Sequence, residues 1–210
     1  MGAIPKSSFS ASAKQVWIND SKLWTSFKNG DLEAYEHLFN TYTDWLYNYG
    51  RQLGGEHEVV KDLLQDFFGA LWQKREKLSK ISQIKPYLFK SFRRLLLKQL
   101  DVERKKNNYQ PEESFQISIE SKLISEQTDA EISRKVQIAL KNISKRQREA
   151  LYLKFFENLS YEEICVAMGI NLNTLYNTIS SALKNLRTEL NGDSSYLLFF
   201  SIMHFLARFN

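Results

Sequence analysis

The chain has 210 residues, 43% hydrophobic and 25% charged, with only 8 glycines and 3 prolines. So few turn formers argue against an all-β sandwich or barrel and for an all-α chain of one large or two small domains. A formal net charge of +5 permits an anionic partner, and a single cysteine, Cys165, excludes an intrachain disulfide or a cysteine zinc cluster.

Residues 1–21 lack the apolar core of a secretory signal and read as a flexible N-terminal segment; Lys6 stands where a myristoylation site would want Ser or Thr. From Asp31 onward, Leu32, Tyr35, Leu38, Phe39, Tyr42, Trp45, Leu46 and Tyr49 form an apolar stripe at helical spacing, which Gly50 and then Gly54-Gly55 are expected to stop. A helix over about 57–76 places Val60, Leu63, Leu64, Phe67, Phe68, Leu71 and Trp72 on one wide face. Asp62, Gln65, Asp66, Gly69 and Gln73 fall on the other. Pro86 suits the first turn of a further helix to about Arg104. These segments predict a first domain of four helices over 22–106.

Charge shifts sharply after Pro86. Lys90, Arg93, Arg94 and Lys98 recur every three or four residues, a basic stripe that meets phosphates by charge and counterion release without reading sequence. Eight basic residues lie between Lys85 and Lys106 against Asp101 and Glu103, whereas 107–133 carries six acids against Lys122. With Asn107-Asn108, Pro111 and several serines, 107–133 reads as an acidic linker.

A second domain, 134–190, follows. Ile138, Leu140 and Ile143 mark one helix, and Ala150, Leu151, Leu153, Phe155 and Phe156 another. Ser160-Tyr161-Glu162-Glu163 is a capping box opening a short helix through Ile164, Ala167 and Met168, and Gly169 supplies the left-handed residue that ends it. A longer helix then carries Leu172, Leu175, Ile179, Leu183 and Leu186 on one stripe. Short capped helix, glycine turn and longer half-polar helix make a helix-turn-helix. Its exposed positions, Asn173, Thr174, Tyr176, Asn177, Ser180, Ser181 and Lys184, can reach base edges or phosphates in a major groove. Residues 191–210 form an apolar tail. Its stretch Tyr196–Phe209 is fourteen residues long and interrupted by His204 and Arg208, short of the roughly 20 a bilayer span needs. The tail suits a helix packed on its own domains, a docking segment or an interfacial contact.

Chemistry is not the expectation. Asp62 and Asp66 have no nearby nucleophile or metal to work with, the three histidines show no ligand spacing, and no phosphate-cradling glycine loop occurs. No catalytic residue, metal or cofactor is predicted, and Cys165 reads as a packed thiol in preference to a redox sensor.

Three stretches in this order carry a resemblance. Val59-Val60-Lys61-Asp62-Leu63-Leu64-Gln65-Asp66-Phe67-Phe68 followed by Leu71-Trp72, and Lys85-Pro86-Tyr87-Leu88-Phe89 leading into Arg93-Arg94, resemble region two of the extracytoplasmic-function group of RNA polymerase sigma factors. Ile143 to Leu186 is similar to region four. The resemblance implies a cytoplasmic protein that binds core RNA polymerase and promoter DNA, under control of an anti-sigma factor. It implies polymerase docking by Asp62, Gln65, Asp66, Phe67 and Trp72. It implies −10 contacts by Ser79, Lys80, Ser82, Gln83, Lys85, Tyr87, Lys90, Arg93, Arg94 and Lys98, with Arg94 at the upstream edge and the loop from Leu78 to Lys85 holding a flipped base. The polar face of the second-domain helix would read the −35 element. That helix departs from the family in having Tyr176, Asn177, Thr178 and Ser181 where many members carry Lys or Arg. Lys145 to Leu190 is almost neutral, with six basic residues against five acids, so weak affinity for free DNA is expected. The alternative from the residues alone is an autonomous helix-turn-helix regulator that binds operator DNA as a dimer.

Overall fold

The structure, a computed structural model, describes residues 19–107 and 138–189. Most of the expected N-terminal segment, most of the acidic linker and the apolar tail lie outside the described residues.

Side-chain caps set where the first helices begin. Asn19 accepts from the Ser21 N–H to open α1 (Asp20–Lys28), and Asp31 accepts from the Glu33 and Ala34 N–H groups to open α2 (Leu32–Gln52). α3 spans His57–Gln73, a 3-10 turn Arg75–Lys77 follows, and α4 spans Ile84–Asn107. The second domain begins with helical residues 138–142 and continues as α5 (Lys145–Phe155), α6 (Tyr161–Met168) and α7 (Leu172–Glu189). Every regular element among the described residues is helical, as the scarcity of glycine and proline predicts.

α1 to α4 enclose Trp24, Phe27, Leu38, Leu46, Tyr49, Phe68, Phe89, Phe92 and Leu96, all fully buried. α3 ends at Gln73, before the expected residue 76, and the chain tightens into the 3-10 turn. There the Arg75 guanidinium stacks 4.4 Å above Trp72 and donates to the Trp72 carbonyl at 2.9 Å.

Gly50 does not stop α2. It lies inside the helix, buried, where a Cβ would stand 2.8 Å from Val60 Cγ1 and 3.1 Å from Phe92. The glycine is where α2 meets α3 and α4, and the chain turns at Gly54, whose φ is +92°. Gly50→Ala is therefore expected to lower stability by about 1–2 kcal/mol. Overpacking against a stiff β-branched neighbour outweighs the helix propensity gained, and a fall in the urea midpoint measures it.

The second domain is set by local signals. Ser144 with Gln147 and Ser160 with Glu163 form reciprocal capping boxes at α5 and α6. Gly169 is left-handed at φ +65°, and the Ile170 N–H returns to the Cys165 carbonyl at 3.1 Å. The buried Arg148 guanidinium donates to the carbonyls of Leu140 and Lys141 at 3.0 Å each, closing the C-terminal end of the preceding helix. Leu153, Ile164, Leu175, Ala182 and Leu186 fill the core. α4 packs along α6, so the two cores are continuous.

Candidate nucleic-acid interface

On α3 the helical period divides the residues cleanly. Val60, Leu63, Leu64, Phe67, Phe68 and Leu71 are buried, while Asp62, Gln65 and Asp66 are all exposed on one turn of the opposite face. The other two residues predicted for this surface stand apart from it. Phe67 is 7% exposed and packs edge-on to Phe68 and Phe92, and Trp72 is half-buried against Phe27 and Tyr35.

The segment before α4 presents Ser79, Lys80, Ser82 and Gln83 to solvent. Its backbone is held by α1. The Trp24 indole donates to the Ser79 carbonyl at 2.9 Å, and the Lys28 ammonium donates to the Leu78 carbonyl. Asp20 accepts from the Ile84 N–H at 2.7 Å, placing a carboxylate at the positive end of α4. These three α1 residues were not singled out from sequence, because their partners lie 50 to 64 positions away.

The basic residues of α4 divide into two sets. Lys90, Arg94 and Lys98, four residues apart, are exposed and form the outward stripe. Tyr87 sits half-buried, edge-on to Trp24 at 5.2 Å, and Phe89 is wholly in the core. Lys85 and Arg93 instead face the second domain. Arg93 Nε donates to Glu149 Oε1 at 2.6 Å and Nη2 donates to Oε2 at 3.0 Å. The Tyr49 hydroxyl donates to the same Glu149 carboxylate at 2.5 Å. Lys85 Nζ lies 3.1 Å from the Glu157 carboxylate, donates to the Glu157 carbonyl at 2.8 Å and rests 3.6 Å above the Trp45 ring. The Glu149 bond raises Arg93 above its usual range, whereas burial lowers Lys85 despite Glu157.

In the helix-turn-helix, Asn171 caps α7 by accepting from the Thr174 N–H at 2.8 Å. Asn173, Tyr176, Asn177, Ser180, Ser181 and Lys184 are exposed and Thr174 is half-buried, so all seven predicted positions lie on the face away from Leu175, Ile179 and Leu186. Two are engaged by other elements. Ser181 accepts from Gln147 Nε2 at 2.8 Å, and the Tyr176 ring stacks on Tyr161 at 4.9 Å, with Lys154 4.8 Å above Tyr161. Cys165 is half-buried on α6, and burial together with Glu162 pushes its thiol up, away from thiolate reactivity. Among the described residues no group of acids, histidines and cysteine could hold a metal ion, and no helix is long and apolar enough to cross a membrane.

An exposed acidic face, a basic helix and a helix-turn-helix in this order are two matched units. The family model for sigma-70 region 2 matches residues 38–106, and that for sigma-70 region 4 matches residues 130–186, together more than half of the chain. The chain belongs to the sigma-70 family. It is an RNA polymerase sigma factor, a promoter-recognition subunit that works with core polymerase and promoter DNA. A bare helix-turn-helix regulator has no counterpart of region 2, so the dimeric-regulator alternative lapses. Two solved structures share the fold. The protein in "Structure of CnrH in complex with the cytosolic domain of CnrY" is 20% identical with a TM-score of 0.59, the match covering 83% of this chain and 99% of that one. The sigma factor RpoE of Bartonella quintana, in complex with the anti-sigma factor NepR, is 21% identical with a TM-score of 0.58, covering 75% and 97%. No curated protein sequence gives a significant match.

Proposed function

We propose a division of labour between the two halves of this sigma factor. The first domain, 22–106, docks on core polymerase through Asp62, Gln65 and Asp66 of α3. It opens the −10 element over Ser79, Lys80, Ser82 and Gln83 and the basic residues of α4. The second domain, 134–190, lays the polar face of α7 against the −35 element. The observation that carries this reading is the exposure of the α3 carboxylates on the same domain that bears an outward basic stripe. Phe67 and Trp72 back the docking face from inside. Catalytic chemistry belongs to the polymerase, and the protein acts in the cytoplasm, where polymerase and chromosome meet. An anti-sigma factor is the expected regulator, since the RpoE structure is a complex with the anti-sigma factor NepR and the CnrH structure a complex with the cytosolic domain of CnrY.

In vitro transcription with core polymerase on genomic fragments tests the reading. Added protein is expected to create start sites that share two spaced upstream motifs. A protected palindrome without polymerase, and no new transcripts, would overturn it. In the same assay Arg94→Ala is expected to reduce open complexes by about tenfold while leaving polymerase affinity within about twofold, because a lost phosphate or base contact weakens DNA engagement by about 1–3 kcal/mol. Equal loss of both counts against a promoter role for Arg94.

A further inference from the structure

We propose that the second domain is a built-in competitor for DNA at α4, with Glu149 and Glu157 occupying Arg93 and Lys85 in the free protein. The inference rests on the reading of Lys85 and Arg93 as promoter contacts and adds what holds them when no promoter is present.

The geometry is that of anion recognition. Arg93 meets Glu149 with two parallel hydrogen bonds, the arrangement a guanidinium also uses to grip a phosphate. Lys85 spends its ammonium on the carboxylate and carbonyl of one residue, Glu157, and its remaining face on the Trp45 ring. Both acids are nearly sealed, with side chains 3% and 8% exposed, and each is braced by a tyrosine: Tyr49 bonds Glu149, and Tyr152 bonds Glu157 at 2.9 Å. The two tyrosine rings stack across the domain boundary at 6.2 Å.

A joint of this type favours one arrangement without being hard to open. Burying ion pairs carries a desolvation penalty that offsets most of their attraction, so their main effect is to specify a geometry. A DNA phosphate restores the cation's pairing, and water restores that of the released glutamates. Lys90, Arg94 and Lys98 stay exposed on the outer side, leaving a landing stripe from which DNA can begin the exchange.

The test uses the full chain with Glu149→Gln and Glu157→Gln, which keep shape and remove charge. Small-angle X-ray scattering reads opening, and fluorescence anisotropy with a labelled single-stranded dT12 reads DNA access. A larger radius of gyration and at least fivefold tighter dT12 binding are expected, with the gain abolished by adding Lys85→Ala and Arg93→Ala. Opening without tighter binding overturns the competitor role, as does no change in either readout with native helix content. Should the double variant fail to fold, Tyr49→Phe deletes a single hydroxyl from Glu149 and is expected to move both readouts the same way by less. Open-complex formation by polymerase loaded with the Lys85→Ala, Arg93→Ala protein separates the two readings. Loss there with an unchanged radius for the glutamine variant overturns this inference alone, whereas no loss overturns the promoter contacts and the inference with them.

Discussion

Asp66→Arg should weaken association with core polymerase by at least about 30-fold while leaving helix content and the unfolding midpoint unchanged. The side chain is exposed on the middle of α3, so no core contact is disturbed, and arginine favours a helix interior more than aspartate does. At a docking surface the loss of one central charged anchor amounts to about 2 kcal/mol or more, and a reversed charge adds repulsion from the partner's basic groups. Co-purification and anisotropy titration against core polymerase measure the effect. Lys61→Glu, one residue outside the Asp62–Gln65–Asp66 turn, is the control. Undiminished association of the Asp66 variant would remove α3 from the docking assignment.

The second large effect is alkaline unfolding. Tyr42, Tyr49 and Tyr152 are held neutral, each raised above the ordinary tyrosine range by burial first and nearby carboxylates second. A phenol raised in the folded state contributes stability that is complete below the unfolded value, about 10, and is lost as pH climbs beyond it. Each such group removes about 1.4 kcal/mol per pH unit above 10, so three remove about 4, against a total of about 5–15 for an ordinary domain. Tyr35 and Cys165 act in the same direction from more solvated positions, and the lowered Lys85 acts against them. Circular dichroism and absorbance at 295 nm, followed together from pH 9 upward, should show helix loss coincident with tyrosinate formation within about two units above 10. Tyr49→Phe should reduce the slope by about a third. Tyrosines that ionise near 10 with the helices intact would refute this account.

What could be read from sequence was local. Ser160, Glu163 and Gly169 announce the helix-turn-helix because a capping box and a left-handed residue involve partners three to five positions apart. The α3 faces and the outward positions of α7 followed from the helical period alone. Gly50 was misread because a glycine that ends a helix and one that lets two helices touch look alike until Val60 and Phe92 are in place. In the sequence Lys85 opened the basic run, and Arg93 belonged to the basic stripe within it. Their glutamate partners lie 72 and 56 positions away, a pairing that no periodicity encodes. α1 was equally obscure as a functional element, since its grip on the 78–84 segment runs through backbone carbonyls and an N–H group that carry no sequence signature.

From Lys85 to Lys98, α4 has few uncommitted positions. Leu88, Phe92 and Leu96 face the core, Lys85 and Arg93 the neighbouring domain, and Lys90, Arg94 and Lys98 the solvent. A helix committed on three sides is a poor place for evolution to experiment, since most replacements disturb one duty while adjusting another. Under the proposed promoter contacts, drift toward new preferences is channelled to the exposed side chains of Ser79, Lys80, Ser82 and Gln83 and to Asn173, Asn177, Ser180 and Lys184 of α7, which can be exchanged without unsettling the scaffold.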